Sequence, residues 1–118
     1  KGYTLASIAL VESGAGRWRL NMDSKDIGLY QLNIKTLTST LGVTNHYKRI
    51  EIVQKVMYDD ILGASVALSV LNYFEKHHKG DWRKTVASYN AGFNVKDGEE
   101  YAEKVAKNLV MLKGCMVL

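Results

Sequence analysis

Apolar residues recur at intervals of three and four along most of this chain, which sets its structural class before any single residue is considered. From Tyr3 to Glu12, Leu5, Ile8, Ala9 and Val11 fall at mostly helical spacing, and Ser13-Gly14-Ala15-Gly16 stops the run. Arg17 to Lys25 carries Asn, Asp and Ser and reads as an irregular loop or short hairpin. Ile27 to Leu41, with Leu29, Leu32, Leu37 and Leu41, reads as a second, weaker helix closed by Gly42. The strongest segment is Arg49 to Lys76, where Ile52, Val53, Val56, Met57, Ile61, Leu62, Ala64, Ala67, Leu68, Leu71 and Phe74 trace a helical apolar face. Its length predicts either one long helix or a break near Asp59-Asp60. Trp82 to Tyr89 predicts a short helix with Asp81 as its N-cap, ended by Asn90-Ala91-Gly92 and followed by a loop from Phe93 to Gly98. Glu99 to Leu112 predicts the last helix, with Ala102, Val105, Ala106, Leu109 and Leu112 on one face. No repeat, low-complexity stretch or linker interrupts the pattern. The expectation is an all-α domain, mainly helical with at most a small β-hairpin.

Composition narrows this further. A chain of 118 residues is expected to form a single domain over 1–118. Size scaling gives about 6,400 Å² of folded surface against about 19,000 Å² unfolded, enough burial for a core without covalent staples. Cys115 is the lone cysteine, so no intramolecular disulfide can form, and the absence of proline lets helices run unbroken. No apolar run is long enough to span a bilayer. The net charge of +4 favours an anionic partner such as nucleic acid, an acidic membrane or an acidic polymer. The chain opens at Lys1 already inside a helical pattern, and the expectation is that a preceding segment has been trimmed.

Among the residues able to carry chemistry, Glu12 stands out by position. It ends an apolar helix beside Leu10 and Val11. The negative end of the helix dipole and desolvation by apolar neighbours both disfavour the ionised carboxylate. A raised pKa suits a general acid working near neutral pH. The plain alternative is a solvated glutamate at a helix end.

The neighbourhood changes that balance. Glu12-Ser13 is followed by Asp26-Ile27-Gly28-Leu29-Tyr30-Gln31-Leu32-Asn33, then by Asp60-Ile61-Leu62-Gly63-Ala64, by Ala87-Ser88-Tyr89-Asn90-Ala91-Gly92, and by Glu100-Tyr101-Ala102-Glu103-Lys104-Val105. In this order, over nearly the whole chain, the segments resemble the soluble lytic transglycosylases of the lysozyme superfamily. The Asp26–Asn33 stretch is most similar to small enzymes that accompany secretion and pilus systems, with phage-tail wall-degrading domains nearby. The resemblance implies a lysozyme-like fold and cleavage of the β-1,4 bond between N-acetylmuramic acid and N-acetylglucosamine in peptidoglycan. One glutamate, here Glu12, would act as acid and then as base, leaving a 1,6-anhydro sugar. The substrate's N-acetyl oxygen would stabilise the cationic centre, a recognised exception to the two-carboxylate rule.

The same resemblance distributes the other roles. Ser13 would fix the turn after the acid, Gln31 would line the cleft, and Tyr101 would orient the carboxyl of Glu12. Tyr89, Asn90 and Ala91 would form one wall for the N-acetyl sugar. No cofactor or metal is implied. The partners implied are peptidoglycan strands and a secretion, pilus or phage-tail assembly, for a monomer placed in the cell envelope, periplasmic or secreted, or carried on a phage tail. The chain also departs from the family. Gly14-Ala15-Gly16-Arg17-Trp18 stands where the family has Phe-Asn-Pro after Glu-Ser, and Tyr30 replaces the common Met. Trp18 or Tyr30 could stack on a sugar or pack in the core. Asp26 also resembles the second carboxylate of animal-type lysozymes, which would make a retaining hydrolase possible if it stands about 5–5.5 Å from Glu12. Its alternative is to fix the loop through backbone hydrogen bonds.

Weaker signals point elsewhere. His77-His78 with distant His46 lacks metal-ligand spacing. Lys76 to Lys84 is a small basic cluster with Trp82, read as a solvated corner rather than a nucleic-acid surface. Cys115 reads as a packed or incidental thiol. Besides the transglycosylase, three readings stay open: a hydrolytic muramidase using Glu12 with Asp26, a silent glycan-binding or scaffold module, and a basic helical nucleic-acid binder.

Overall fold

Asparagine and aspartate side chains set where four of the helices begin. In a computed structural model, which describes residues 2–21, 23 and 25–116, Asn33 accepts from the Lys35 and Thr36 N–H groups and opens α2 (Ile34–Thr40). Asn45 does the same for α3 (His46–Tyr58), Asp59 for α4 (Asp60–His77) and Asp81 for α5 (Trp82–Ala91). Each such cap contributes about 1 kcal/mol by satisfying N–H groups that the helix leaves orphaned. Asp59 has extended backbone angles, so the residue that starts α4 also stops α3. The long apolar run is therefore two helices, broken at the expected place.

Helix α1 (Gly2–Ser13) and helix α6 (Glu99–Met116) pack along each other, and α5 packs on both α4 and α6. The core is drawn from all of them: Ile8, Val66, Leu71, Val86, Ala87 and Val105 are almost wholly buried. Trp82 Nε1 donates to Thr4 Oγ1 at 3.1 Å, tying α5 to α1. Between α1 and α2 runs a small antiparallel sheet, β1 (Leu20–Asn21), β2 (Asp26–Ile27) and β3 (Leu32–Asn33), in that order. Ile27 pairs with both Leu20 and Leu32.

This sheet corrects one expectation. The stretch from Ile27 to Leu32 is not helical, and the second helix is only Ile34–Thr40. Gly28 and Gln31 have φ of +81° and +47°, a left-handed backbone that no right-handed helix sustains. Ile27 and Leu32 reach the core from strands instead. A second difference is a 3-10 turn over Val95–Gly98 inside the expected loop. The mainly helical class holds. Among the described residues, no helix is long and apolar enough to cross a membrane. The expectation about the start of the chain rests on Lys1, which lies outside the described residues.

The chain exposes 7613 Å² and measures 43 × 31 × 23 Å, about a fifth more surface than size scaling gives. Part of the excess is α3, whose one fully buried side chain is Val56. Around Gly98 the packing is tight. A Cβ on Gly98 would overlap the Ala87 carbonyl oxygen and stand 2.8 Å from the Ala87 Cα. Gly98→Ala is expected to lower stability in urea unfolding by about 1–3 kcal/mol through overpacking. Gly114→Ala on α6, where a Cβ meets nothing within 4 Å, is expected to leave stability unchanged or raise it by up to about 1 kcal/mol.

Candidate active site

The final turn of α1 carries Glu12 and Ser13, and the two side chains part company. Ser13 is fully buried. Its hydroxyl lies 2.6 Å from the Leu29 carbonyl oxygen and 3.1 Å from that of Ala9, and accepts from the Gly16 N–H at 2.9 Å. Glu12 is half-buried on the wall of a cavity of about 410 Å³. Asp26, Gln31, Tyr89 and Asn90 line the same cavity, with Phe74 and Val70 of α4 opposite. Residues as far apart in the chain as Glu12 and Gly92 thus converge on one space.

The turn over residues 28–31 is the structural hinge of this arrangement. Its Gly28 carbonyl accepts from the Gln31 N–H at 3.2 Å and from Gln31 Nε2 at 2.9 Å. The Leu29 carbonyl accepts from Ser13, and the Tyr30 carbonyl from the Tyr89 hydroxyl at 2.9 Å. Three successive carbonyls are therefore held by three of the residues singled out in the sequence. Gln31 Nε2 also donates to the Trp18 carbonyl at 3.2 Å. Gly28 itself cannot be replaced without strain: its φ is positive and a Cβ would stand 2.7 Å from the Val56 carbonyl oxygen.

Burial pushes the Glu12 carboxyl up to about 7 from 4.5, and the nearby charge of Asp26 pushes the same way, while the Tyr101 hydroxyl opposes by donating toward the carboxylate. The carbonyls of Ala9, Leu10 and Ser13 accept from the N–H groups of Ala15, Gly14 and Trp18, which closes the end of α1. Tyr101 is buried behind Glu12, and its hydroxyl closes no hydrogen bond of ordinary geometry. It is nevertheless near enough to act on Glu12 both by charge and as a donor. Burial, and then the Glu12 charge, hold the hydroxyls of both Tyr101 and Tyr89 well above the usual phenol range, so both stay protonated donors.

Other singled-out residues lie off the cavity wall. Tyr30 is 8% exposed and belongs to the core, with its ring against Gly63. Its side chain therefore offers no sugar-stacking surface. Ser13 and Tyr101 are buried behind the wall, and Ala91 is half-buried outside the lining. Trp18 is 64% exposed, with the Arg17 guanidinium 5.5 Å from its ring centre, and is not part of the lining either. Cys115 is exposed, which removes the reading of a packed thiol. Among the described residues, no group of three His, Cys, Asp or Glu side chains is placed to hold a metal ion.

The structure adds lining residues that sequence reasoning missed. Asn33 and Thr36 come from the start of α2, Val70 and Phe74 from α4, and Ser88 from α5. Ser88 Oγ lies 2.7 Å from His78 Nε2. Val70 and Phe74 stand four apart on a helix, a spacing that marks an apolar face equally well in a core or in a cleft.

Comparison with known proteins follows the same segments. The family described as Transglycosylase SLT domain matches residues 2–111. An enterobacteria phage T4 protein, described as an uncharacterized 20.7 kDa protein in the vs-regB intergenic region, is 31% identical over 99% of this chain. The chain spans 65% of that relative's length. No solved structure matches it significantly.

The raised Glu12 pKa has a measurable consequence for stability. The folded state keeps the proton up to about pH 7, whereas an exposed glutamate loses it near 4.5. Stability from this group is complete below about 4.5 and is lost as pH rises through about 7. Glu12→Gln carries no such slope. Relative to its effect at pH 4, the substitution is expected to gain up to about 3 kcal/mol at pH 9, read from urea unfolding at the two pH values.

Proposed function

The chain belongs to the transglycosylase SLT domain family, and on that premise we propose that it cleaves the bond between N-acetylmuramic acid and N-acetylglucosamine in peptidoglycan without consuming water. The observation that carries the proposal is Glu12: a carboxyl on the cavity wall whose pKa is raised to about 7. In this reading the protonated carboxyl gives its proton to the glycosidic oxygen as the bond to the anomeric carbon breaks. The resulting carboxylate then takes the proton of the same sugar's 6-hydroxyl as that oxygen bonds to the anomeric carbon. The products are a 1,6-anhydro end and a free 4-hydroxyl, and Glu12 is again protonated. Such acid and base action contributes about 10²–10⁴-fold when the pKa lies near the working pH.

The surrounding residues have complementary parts in this proposal. Tyr101 positions the carboxyl from behind. Ser13, Gln31 and Tyr89 hold the 28–31 turn that forms the cavity edge, while Asn90 and the Gln31 amide face the substrate. The unit acts as a single lysozyme-like catalytic domain on glycan strands of the cell envelope. Its likeness to a phage T4 protein favours a phage-borne enzyme.

One observation favours a second reading. Asp26 lines the same cavity and its charge reaches Glu12, so a second carboxylate is at hand of the kind a retaining hydrolase uses as nucleophile. The products separate the two. Mass analysis of muropeptides released from purified walls is expected to give anhydro ends. Reducing ends would assign the chain to hydrolysis with Asp26.

Glu12→Gln is expected to reduce wall clearing by at least about 100-fold while the protein stays folded by circular dichroism. Clearing at the parental rate would remove Glu12 as the acid. Activity of the parent is expected to fall as pH rises above about 7, because the acid must be protonated. Tyr101→Phe removes a donor that lowers the Glu12 pKa. Its alkaline limb is therefore expected to move upward in the pH–rate profile, with a lower maximal rate from loss of orientation.

A further inference from the structure

The cavity wall does not end at the cavity. Phe74, which lines it, stands at the head of an aromatic group made by the last turns of α4 and the chain just after α5. Its ring meets Phe93 edge-on at 5.5 Å and Tyr73 at 5.2 Å. Phe93 in turn meets Tyr73 at 6.3 Å and His77 at 5.1 Å, again edge to face. Edge-to-face packing fixes rings relative to one another without covering their outer surfaces. Phe93 is 63% exposed and Tyr73 59% exposed.

The placement of Phe93 is set by the backbone. Gly92 both lines the cavity and caps α5 with φ +63° and ψ −135°. No L side chain adopts that conformation readily. The chain reverses there, so the residue after the cavity wall carries its ring onto the outer corner beside α4. Phe93 and Tyr73 are in ring contact, so together they make a contiguous exposed aromatic patch rather than a single exposed side chain, and such patches mark binding sites.

We propose that Phe93, with Tyr73 beside it, is an accessory binding shelf for the same glycan strand, receiving an N-acetylated pyranose that lies beyond the cavity. This rests on the reading of the cavity as a glycan-cleaving site. Two observations select the occupant. The shelf is continuous with the cavity through Phe74, so a polymer lying in one passes over the other. Its chemistry is aromatic and uncharged, which suits the C–H faces of a β-linked sugar against the electron-rich ring faces. Apolar and aromatic lining with a few polar groups is also how small-molecule sites are generally built. His78, behind the shelf, stacks on Phe74 at 6.3 Å and holds Ser88 of the cavity wall. Shelf and cavity are thus braced by one side chain.

The test uses β-1,4-linked N-acetylglucosamine oligomers, titrated by NMR into the Glu12→Gln protein so that nothing is cleaved. Phe93→Ala in that background is expected to weaken hexasaccharide binding about five- to tenfold, the scale of one aromatic contact, and to change disaccharide affinity by less than about twofold. Phe93→Trp is expected to restore hexasaccharide binding. An unchanged hexasaccharide affinity, an equal loss for both oligomers, or no hexasaccharide binding to the parent would each overturn the shelf. So would a concentration-dependent dimer that Phe93→Ala abolishes, which would assign the face to a second copy of the chain. The catalytic reading fails separately. If the unsubstituted protein leaves walls uncleaved while hexasaccharide binding depends on Phe93, the shelf stands and the proposed reaction falls. If walls are cleaved and Phe93 is neutral, only the shelf falls.

Discussion

The structure around the cavity depends on the carbonyl oxygens of a four-residue turn. Gly28, Leu29 and Tyr30 each present a carbonyl that no regular element satisfies, and a buried unsatisfied carbonyl costs about 1–3 kcal/mol. Gln31 answers the first, Ser13 the second and Tyr89 the third. One donor comes from the turn itself, one from α1 and one from α5. The turn can therefore hold its shape only when α1 and α5 are docked, and the cavity edge forms together with the global fold. This gives Ser13 and Tyr89 a physical function distinct from contact with a ligand. They fix backbone, and through it the position of Gln31 and of the wall.

Glu12 lives in the space this turn encloses. Its raised pKa comes from burial first and from the Asp26 charge, against the donor action of Tyr101. The balance matters more than any one cause. Burial alone would raise the carboxyl further. The Tyr101 hydroxyl, itself buried without a settled partner, keeps the anion accessible. A group with pKa near 7 can be either partner in a proton transfer with little cost. The unsatisfied phenol is a small loss of stability placed beside the carboxyl whose pKa it lowers.

The opposite wall follows a different logic. Helices α4 and α5 bring an apolar face, a capped turn and a chain reversal at Gly92 to one corner. The tight approach of Gly98 to Ala87 fixes where the chain re-enters α6, and so where Tyr101 can stand. Phe74 serves the cavity and the outer aromatic group together. The positions of Tyr101 and Phe93 both follow from how α5 is seated.

Much of this was legible without the structure. Helix order, the break at Asp59 and the Asp81 cap follow from apolar spacing and from side chains that compete for backbone N–H groups. Glu12 could be singled out because it ends an apolar helix and because the segments around it resemble a known family; its position alone was equally that of a solvated glutamate. The failure at 27–33 is equally instructive: Leu29, Leu32, Leu37 and Leu41 suggest a helical pattern, but Gly28 and Gln31 take left-handed backbone angles. Only the tertiary structure decided which singled-out residues face the cavity and which stand behind it. Spacing along a chain tells which face of an element is apolar, not which distant element will cover it. The Ser13 hydroxyl finds its acceptor 16 positions away and the Tyr89 hydroxyl finds its own 59 away. Such pairings are set by the docking of whole helices, so they exist only once the chain has closed around its core.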